Sequence, residues 1–303
     1  MDAVPWKFVD SVVELFSKKT MYQLAPEVAH PLWKAVVDLH HRNRVYDTIF
    51  LRVRESGKYL FVSGEHERPF NLQALLKNRR FARFVEISDE KRDMQVTGAK
   101  PLGIAETGKL LITAASQISG LYLLYSTKST RVILMSLFKR VYLQTIRVLY
   151  CGQIAYDFLE HQINNSPILN CVVLGGSDWP QSSARLITNF CLRGKPGNGV
   201  AASVHLNNIY FDSSCIENIL DLWKMNGKLN FFLQSRHCII SEMKWIRIFL
   251  NQVHLKYRVF KHRTEKSIAI LSNDGTLMEF YTCGCDRFKQ CILKTRYSDY
   301  HNF

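Results

Sequence analysis

The chain has 303 residues, of which 47% are apolar and 12% aromatic, and a net charge of +14. That apolar content excludes a largely disordered chain, and the length fits one large domain or two ordinary ones. The positive excess makes nucleic acid or an anionic surface a partner to weigh. It is concentrated in residues 51–150, with 17 basic against 8 acidic side chains, and in 251–303, with 9 against 5.

Asp2 and Asp10 bracket the first apolar run, so no cleavable leader is expected. Pro5 suits the first turn of a helix, because proline lacks an N–H and its φ already lies near helical values. Phe8, Val12 and Leu15 follow at helical spacing as one apolar stripe, and Val9, Val13 and Phe16 repeat it one residue on. A helix apolar on two adjoining faces can serve two contacts, one within the chain and one with a partner. Residues 1–45 read as helices broken at Pro26 and Pro31, with Leu32, Val36 and Leu39 lining one face of the later piece.

Residues 48–53 (TIFLRV) and 58–63 (KYLFVS) read as a strand pair around the Gly-containing turn ESGK. NLQALLKNRRFARF reads as a helix and FVEIS as a strand. The densest cationic cluster is here, with Lys77, Arg79, Arg80 and Arg83 around Phe81, which could stack on a base while the cations hold phosphates. Glu86, Asp89 and Glu90 follow at once, which favours a solvated helix end over a nucleic-acid patch. Residues 94–108 carry Gly98, Pro101, Gly103 and Gly108 and read as a loop. The longest uncharged stretch, 110–127, is diluted by Thr113, Ser116, Gln117 and Ser119, so a buried core element is expected there and no membrane span.

The second half repeats. Strand-like ILNCVVLGG, VAASVHLNN and LNFFLQS each precede a helix-like stretch. Leu174, Leu206 and Leu233 are separated by 32 and 27 residues, as are Ile187, Ile219 and Ile246. A fixed strand-to-helix offset with variable loops is what stacked repeats require. Ser177 or Asp178 with Pro180, and Ser214 with Glu217, read as helix starts; Gly194 and Gly227 read as helix ends. TIRVLY and AYDFLEHQI read as an earlier unit. After Val253 the pattern turns to strands, with an Asn-Asp-Gly hairpin turn in SNDGT.

The fold class expected is therefore α/β: a small N-terminal helical module (1–45), a connecting α+β region (46–140), an irregular strand–helix solenoid (141–255) and a C-terminal β hairpin cap (256–303). No H-E-x-x-H, G-x-S-x-G or P-loop pattern appears, and GKPGNG lacks the Lys-Ser/Thr that would hold a triphosphate. The eight cysteines sit mostly at apolar positions and read as reduced, in a chain that stays in the cytoplasm or nucleus. Cys283, Cys285 and Cys291 form C-x-C-x5-C, too tight for the usual zinc knuckle, and His40, His41, His237 and Cys238 are the other ligands considered; no metal and no cofactor is expected. Asn164-Asn165-Ser166 reads as a helix-ending turn rather than a glycan site. The five tryptophans read as core residues, Trp33 with a competing interface role. No carboxylates pair as an acid and base, so an enzyme is not expected.

The repeats are similar to degenerate leucine-rich repeats: Leu169, Val172 and Leu174, then Ala201, Val204 and Leu206, match the apolar slots of L-x-x-L-x-L, while Ser177, Ile209 and Arg236 stand where that family has asparagine. The opening 35 residues resemble a diverged F-box, with Val4-Pro5 at its Leu-Pro position and Trp33 near its end. The whole chain resembles a nematode-expanded family of F-box-like proteins. That resemblance implies a substrate receptor: the first 45 residues would dock on the Skp adaptor of a cullin-RING ubiquitin ligase through Pro5, Phe8, Val12, Leu15, Met21, Leu24 and Trp33, and the repeats would hold a protein target. A repeat scaffold without a ligase link, and a basic nucleic-acid binder, are the alternatives.

Overall fold

The computed structural model describes residues 4–16, 18–53, 59–63, 68–69, 80–89, 102–115, 118–205, 209–236, 257–272, 275–288 and 291–302. It is a mixed α/β structure that separates into two compact units, Met1–Ser119 and Gly120–Phe303.

The first unit opens with α1 (Trp6–Glu14), α2 (Lys18–Leu24) and α3 (Pro31–Asn43). Pro31 is the first residue of α3, where its missing N–H has no helical partner to lose, so it starts this helix rather than interrupting it. Strands β1 (Val45–Val53), β2 (Tyr59–Ser63), β3 (Arg68–Pro69) and β4 (Ala82–Ser88) lie in the order β4-β1-β2-β3. β1 runs parallel to β4 and antiparallel to β2, as expected of the TIFLRV and KYLFVS segments. β4 carries one extra residue, Val85, opposite the Asp47–Thr48 step. The Val85 carbonyl accepts both the backbone N–H (3.0 Å) and the hydroxyl (2.8 Å) of Ser119.

Two local readings change here. Extended structure begins at Ala82, within the stretch read as helix, and the loop read over 94–108 gives way at its end to α4 (Ile104–Ala114). Glu106 reaches back to accept the N–H of Gly103 at 3.1 Å, and Leu110, Leu111 and Ala114 are buried. Burial of that face outweighs the poor helix propensity of Gly108.

In the second unit, strands β5 (Gly120–Leu123), β6 (Thr145–Leu149), β7 (Cys171–Gly175), β8 (Val200–Val204) and β9 (Phe231–Ser235) are parallel and lie side by side in sequence order. Between them run α5 (Thr127–Leu137), α6 (Gln153–Asn165), α7 (Ser182–Cys191) and α8 (Ser213–Asn226), each packed on the next. Parallel crossovers are almost always right-handed, so strands added in one direction put these helices on one face of the sheet. The register makes two buried rows: Leu121, Ile146, Val172, Ala202 and Leu233, then Leu123, Val148, Leu174, Val204 and Ser235. The row between them, Tyr122, Arg147, Val173, Ser203 and Gln234, is half-buried or exposed on the opposite face.

The strand–helix units read from TIRVLY onward are present, and β5 with α5 adds one before them. Strand positions recur at 30 and 31 residues, from Val172 to Ala202 to Leu233, rather than at 32 and 27. Ile187 and Ile219, read as corresponding helix positions, are both fully buried, but their step of 32 differs from the strand step of 30. Leu206, Ile246 and Trp245 lie outside the described residues. The stretch 110–127 is divided among α4, β5 and the start of α5, and among the described residues no helix is long and apolar enough to cross a membrane.

Helix ends also shift. The N-cap of α8 is Asp212, whose Oδ1 accepts the Cys215 N–H at 2.8 Å, while Ser214 donates to that carboxylate. α7 begins at Ser182, beyond Asp178, which adopts a left-handed φ of 67°. Gly227 ends α8 with φ 58°, as expected. Gly194 is needed for another reason: a Cβ there would sit 2.1 Å from the Asn230 carbonyl oxygen. Beyond β9, β10 (Tyr257–Lys261), β11 (Ser267–Ser272) and β12 (Leu277–Thr282) form an antiparallel meander, with β12 antiparallel to β9. The chain ends with α9 (Ile292–Arg296) and a single 3-10 turn, Ser298–Tyr300.

Candidate functional site

The N-terminal helices use one of the two apolar stripes read along α1. Val9 and Val13 are fully buried with Met21, Val36 and Val37, and Phe16, Val28, Leu32 and Trp33 pack against them. The other stripe faces out: Phe8 is 56% and Leu15 85% exposed, and Trp6 on α1 (43%) and Tyr22 on α2 (58%) are exposed too. Of the seven docking positions read from the sequence, Pro5, Phe8 and Leu15 are exposed, while Val12, Leu24 and Trp33 are half-buried. Met21 belongs to the core, not to a docking surface, because the short α2 turns it inward onto α1 and α3.

A polar network the sequence did not announce ties this module together. His40, fully buried on α3, meets Asp10 Oδ1 through Nε2 at 2.7 Å, and Arg44 Nε donates to its Nδ1 at 3.2 Å. With Nδ1 accepting, the imidazole is neutral and its Nε2–H donates to the carboxylate. Arg44, just past the end of α3, also donates to the carbonyls of Phe16 (2.7 Å) and Val13 (2.5 Å). Both carbonyls lie around the α1 C-terminus, where a cation also suits the helix dipole; that of Val13 accepts the Phe16 N–H as well.

Burial holds His40 below its ordinary pKa, against the pull of Asp10. Burial pushes the Asp10 carboxyl up, but hydrogen bonds from His40 and Arg80 outweigh it and leave the group below the usual carboxylate range. The two therefore act in separate windows. Below about pH 6.5 the unfolded chain takes up a proton that the native His40 refuses, so stability falls as pH drops through that region. The stabilisation from Asp10 is present above about pH 3.9 and is lost only on further acidification. Lowering pH from 7.5 to 5.5 is expected to bring the melting transition of residues 4–53 down in the native chain. His40→Gln, which can still donate and accept, should flatten that dependence, and an unchanged slope would sink the assignment.

The cationic cluster divides. Arg80 pairs with Asp10 at 2.7 Å and lies over the Phe81 ring at 5.1 Å, and Arg83 donates to the Glu14 carbonyl with its side chain only 12% exposed. Arg83 is thus largely engaged against α1, while Arg80, paired with Asp10, keeps its side chain 42% exposed. Lys77 and Arg79 lie outside the described residues, as do His237 and Cys238.

At the other end of the chain, four side chains converge that sequence reasoning did not join. Cys283 follows β12 directly, Cys285 stands two residues on, Cys291 caps α9 and His301 follows the final 3-10 turn. His301 Nε2 is 3.3 Å from Cys283 Sγ and 3.2 Å from Cys285 Sγ, and all four ligand atoms lie within 4.8 Å of one another. Cys291 and Leu293 are buried against Ile268, Ile270 and Tyr281, and Arg296 donates to the Tyr281 hydroxyl at 2.9 Å. Tyr297 donates to Glu279 from the same tail.

The thiols interact directly. A hydrogen bond with Cys283, helped by desolvation and by Cys291, pushes Cys285 up to about 11. Burial pushes Cys291 up, but backbone N–H groups of Gly284 and Lys294 and the neighbouring thiols outweigh it, so its thiol lies below the ordinary value. The signal available in sequence was the downstream histidine, which completes C-x-C-x5-C-x9-H. Cys283 and Cys285 carry free thiols, as do Cys151, Cys171, Cys191, Cys215 and Cys291. A cleft of about 710 Å³ adjoins this segment, with Lys195, Lys228, Lys266 and Arg287 interspersed with Glu265 and Asp286.

Comparison with protein-family models, with curated proteins and with solved structures finds no match for this chain.

Proposed function

We propose that this protein is a protein-binding adaptor, not an enzyme: a substrate receptor in which the N-terminal helices act as an F-box-like module on the Skp adaptor of a cullin-RING ubiquitin ligase, and the strand–helix repeats, leucine-rich-like, hold a protein target. The observation that carries this reading is the division of α1 into two stripes. Val9 and Val13 close a core of their own with α2 and α3, while Phe8 and Leu15 stay in solvent. Large apolar side chains held out by a formed helix suit burial against a partner. The repeat half supports the reading in a coarser way, since the sheet face opposite α5–α8 carries a mixed row from Tyr122 to Gln234 that is half-buried or exposed. The same reading places the protein in the cytoplasm or nucleus, with no cofactor.

The test is co-purification with the Skp adaptor in raised salt, comparing the intact chain with Phe8→Asp/Leu15→Asp. Both positions are exposed, so the variant is expected to keep its circular dichroism. Capture of the intact chain should persist in salt, because apolar burial is not screened, and should fall by about a hundredfold or more in the variant. No capture of either chain would remove the ligase link and leave a repeat scaffold.

A further inference from the structure

We propose that Cys283, Cys285, Cys291 and His301 form a structural zinc site that clasps the C-terminal tail onto the β10–β12 meander. The inference is independent of the adaptor reading. Tetrahedral zinc with thiolate and imidazole ligands has Zn–S near 2.3 Å and Zn–N near 2.0 Å, which puts neighbouring ligand atoms roughly 3.5 Å apart. The two sulfur–nitrogen separations here, 3.3 and 3.2 Å, fall close to that edge, and the full set spans no more than 4.8 Å. Side chains from four places along the last 21 residues reach this spacing only because the tail folds back on β12.

Three thiols and one imidazole are a donor set of zinc type, and four protein ligands leave no open position for a substrate. A disulfide would engage two of these four side chains, whereas one ion engages all four. The backbone N–H groups of Gly284 and Lys294 directed at Cys291 sulfur match the outer-shell support that thiolate ligands receive. The tail also needs a clasp. It contains a five-residue helix and a three-residue turn, with Leu293 its one fully buried side chain among the described residues beyond Gly284. Elements so short do not hold themselves in place, and ligation supplies what their small core does not. Binding replaces three S–H bonds with S–Zn bonds, releases three protons to solvent, and leaves the imidazole neutral.

The experiment uses the full chain, purified reduced and without chelator and then dialysed against zinc. About one zinc per chain is expected by elemental analysis, and cobalt(II) in its place should give sulfur-to-metal charge transfer with the visible bands of a tetrahedral site. Cys285→Ser/His301→Gln should lose the metal, while Cys151→Ser keeps it. The intact chain supplies a readout that does not depend on any variant folding: zinc should protect Cys283, Cys285 and Cys291 from alkylation, and EDTA should expose them, with Cys215 unaffected. Absence of bound metal after reconstitution, retention of zinc by the double variant, octahedral cobalt bands, or equal alkylation with and without EDTA would each overturn the proposal.

Discussion

Trp179→Ala is expected to destabilise the second unit by about 3–5 kcal/mol. The indole is 1% exposed, its Nε1–H donates to the Gly175 carbonyl at 2.9 Å, and its ring lies 5.3 Å from that of Tyr150. It therefore fills the space above the C-terminal end of β7 and also holds the turn that leads into α7. Truncation leaves a cavity and removes the shorter of two hydrogen bonds to the Gly175 carbonyl, which keeps the Tyr150 N–H at 3.3 Å. Trp179→Phe keeps most of the volume and loses the hydrogen bond, so a loss of about 1–2 kcal/mol is expected. Met225→Ala, at a position 74% exposed, should stay within about 0.5 kcal/mol of the native chain. Urea unfolding of the three variants decides the matter; equal midpoints for Trp179→Ala and Met225→Ala would refute the packing role.

Arg44→Met should remove about 3 kcal/mol from the N-terminal module. The side chain is buried, and its three hydrogen bonds run to His40 and to the Phe16 and Val13 carbonyls. Methionine fills similar volume but leaves the Phe16 carbonyl and His40 Nδ1 without this donor and takes a donor from the Val13 carbonyl, which keeps the Phe16 N–H, with Asp10 still charged nearby. Lysine brings a charge without the planar fork, so Arg44→Lys should recover only part of the loss. The readout is amide hydrogen exchange over residues 4–53, with the repeat unit as internal reference. Exchange in Arg44→Met matching the native chain would show that the carbonyls find other donors. The proposed docking depends on this module being formed, so Arg44→Met should weaken Skp capture with Phe8 and Leu15 intact.

The parallel sheet was foreseeable from local pattern. Alternating apolar residues in ILNCVVLGG and VAASVHLNN, each followed by a 3.6-period segment, specify strand then helix wherever a chain must bury one face of each. The exact step was not foreseeable, because Leu206 looks equivalent to Leu174 by spacing, yet pairing places Val204 there. Backbone register is settled by the two buried rows together, not by one leucine in each strand. α1 shows the same limit on a smaller scale. Its two stripes were plain in the sequence, but only packing against Val36 and Val37 assigns Val9 and Val13 inward and leaves Phe8 and Leu15 outside.

The polar sites lay further from view. His40 and Arg44 are four residues apart at the end of α3, but Asp10 on α1 lies thirty residues from His40 with no periodicity to relate them; that contact exists because α1 and α3 pack side by side. Arg80 and Arg83 read as a cationic patch by composition, and only the fold shows that each meets α1, Arg80 through Asp10 and Arg83 through the Glu14 carbonyl. Cys283, Cys285 and Cys291 were adjacent enough to notice and too closely spaced to resemble a usual knuckle. The fourth member, His301, joins them only when the tail reverses over β12. Residue order therefore settled the mixed α/β architecture and the class of most elements, since those follow from local geometry and burial period; the start of β4 and α4 were exceptions. Which apolar face is free, which cations are engaged and which ligands meet depended on contacts between segments distant in the chain, and those form only when the segments pack.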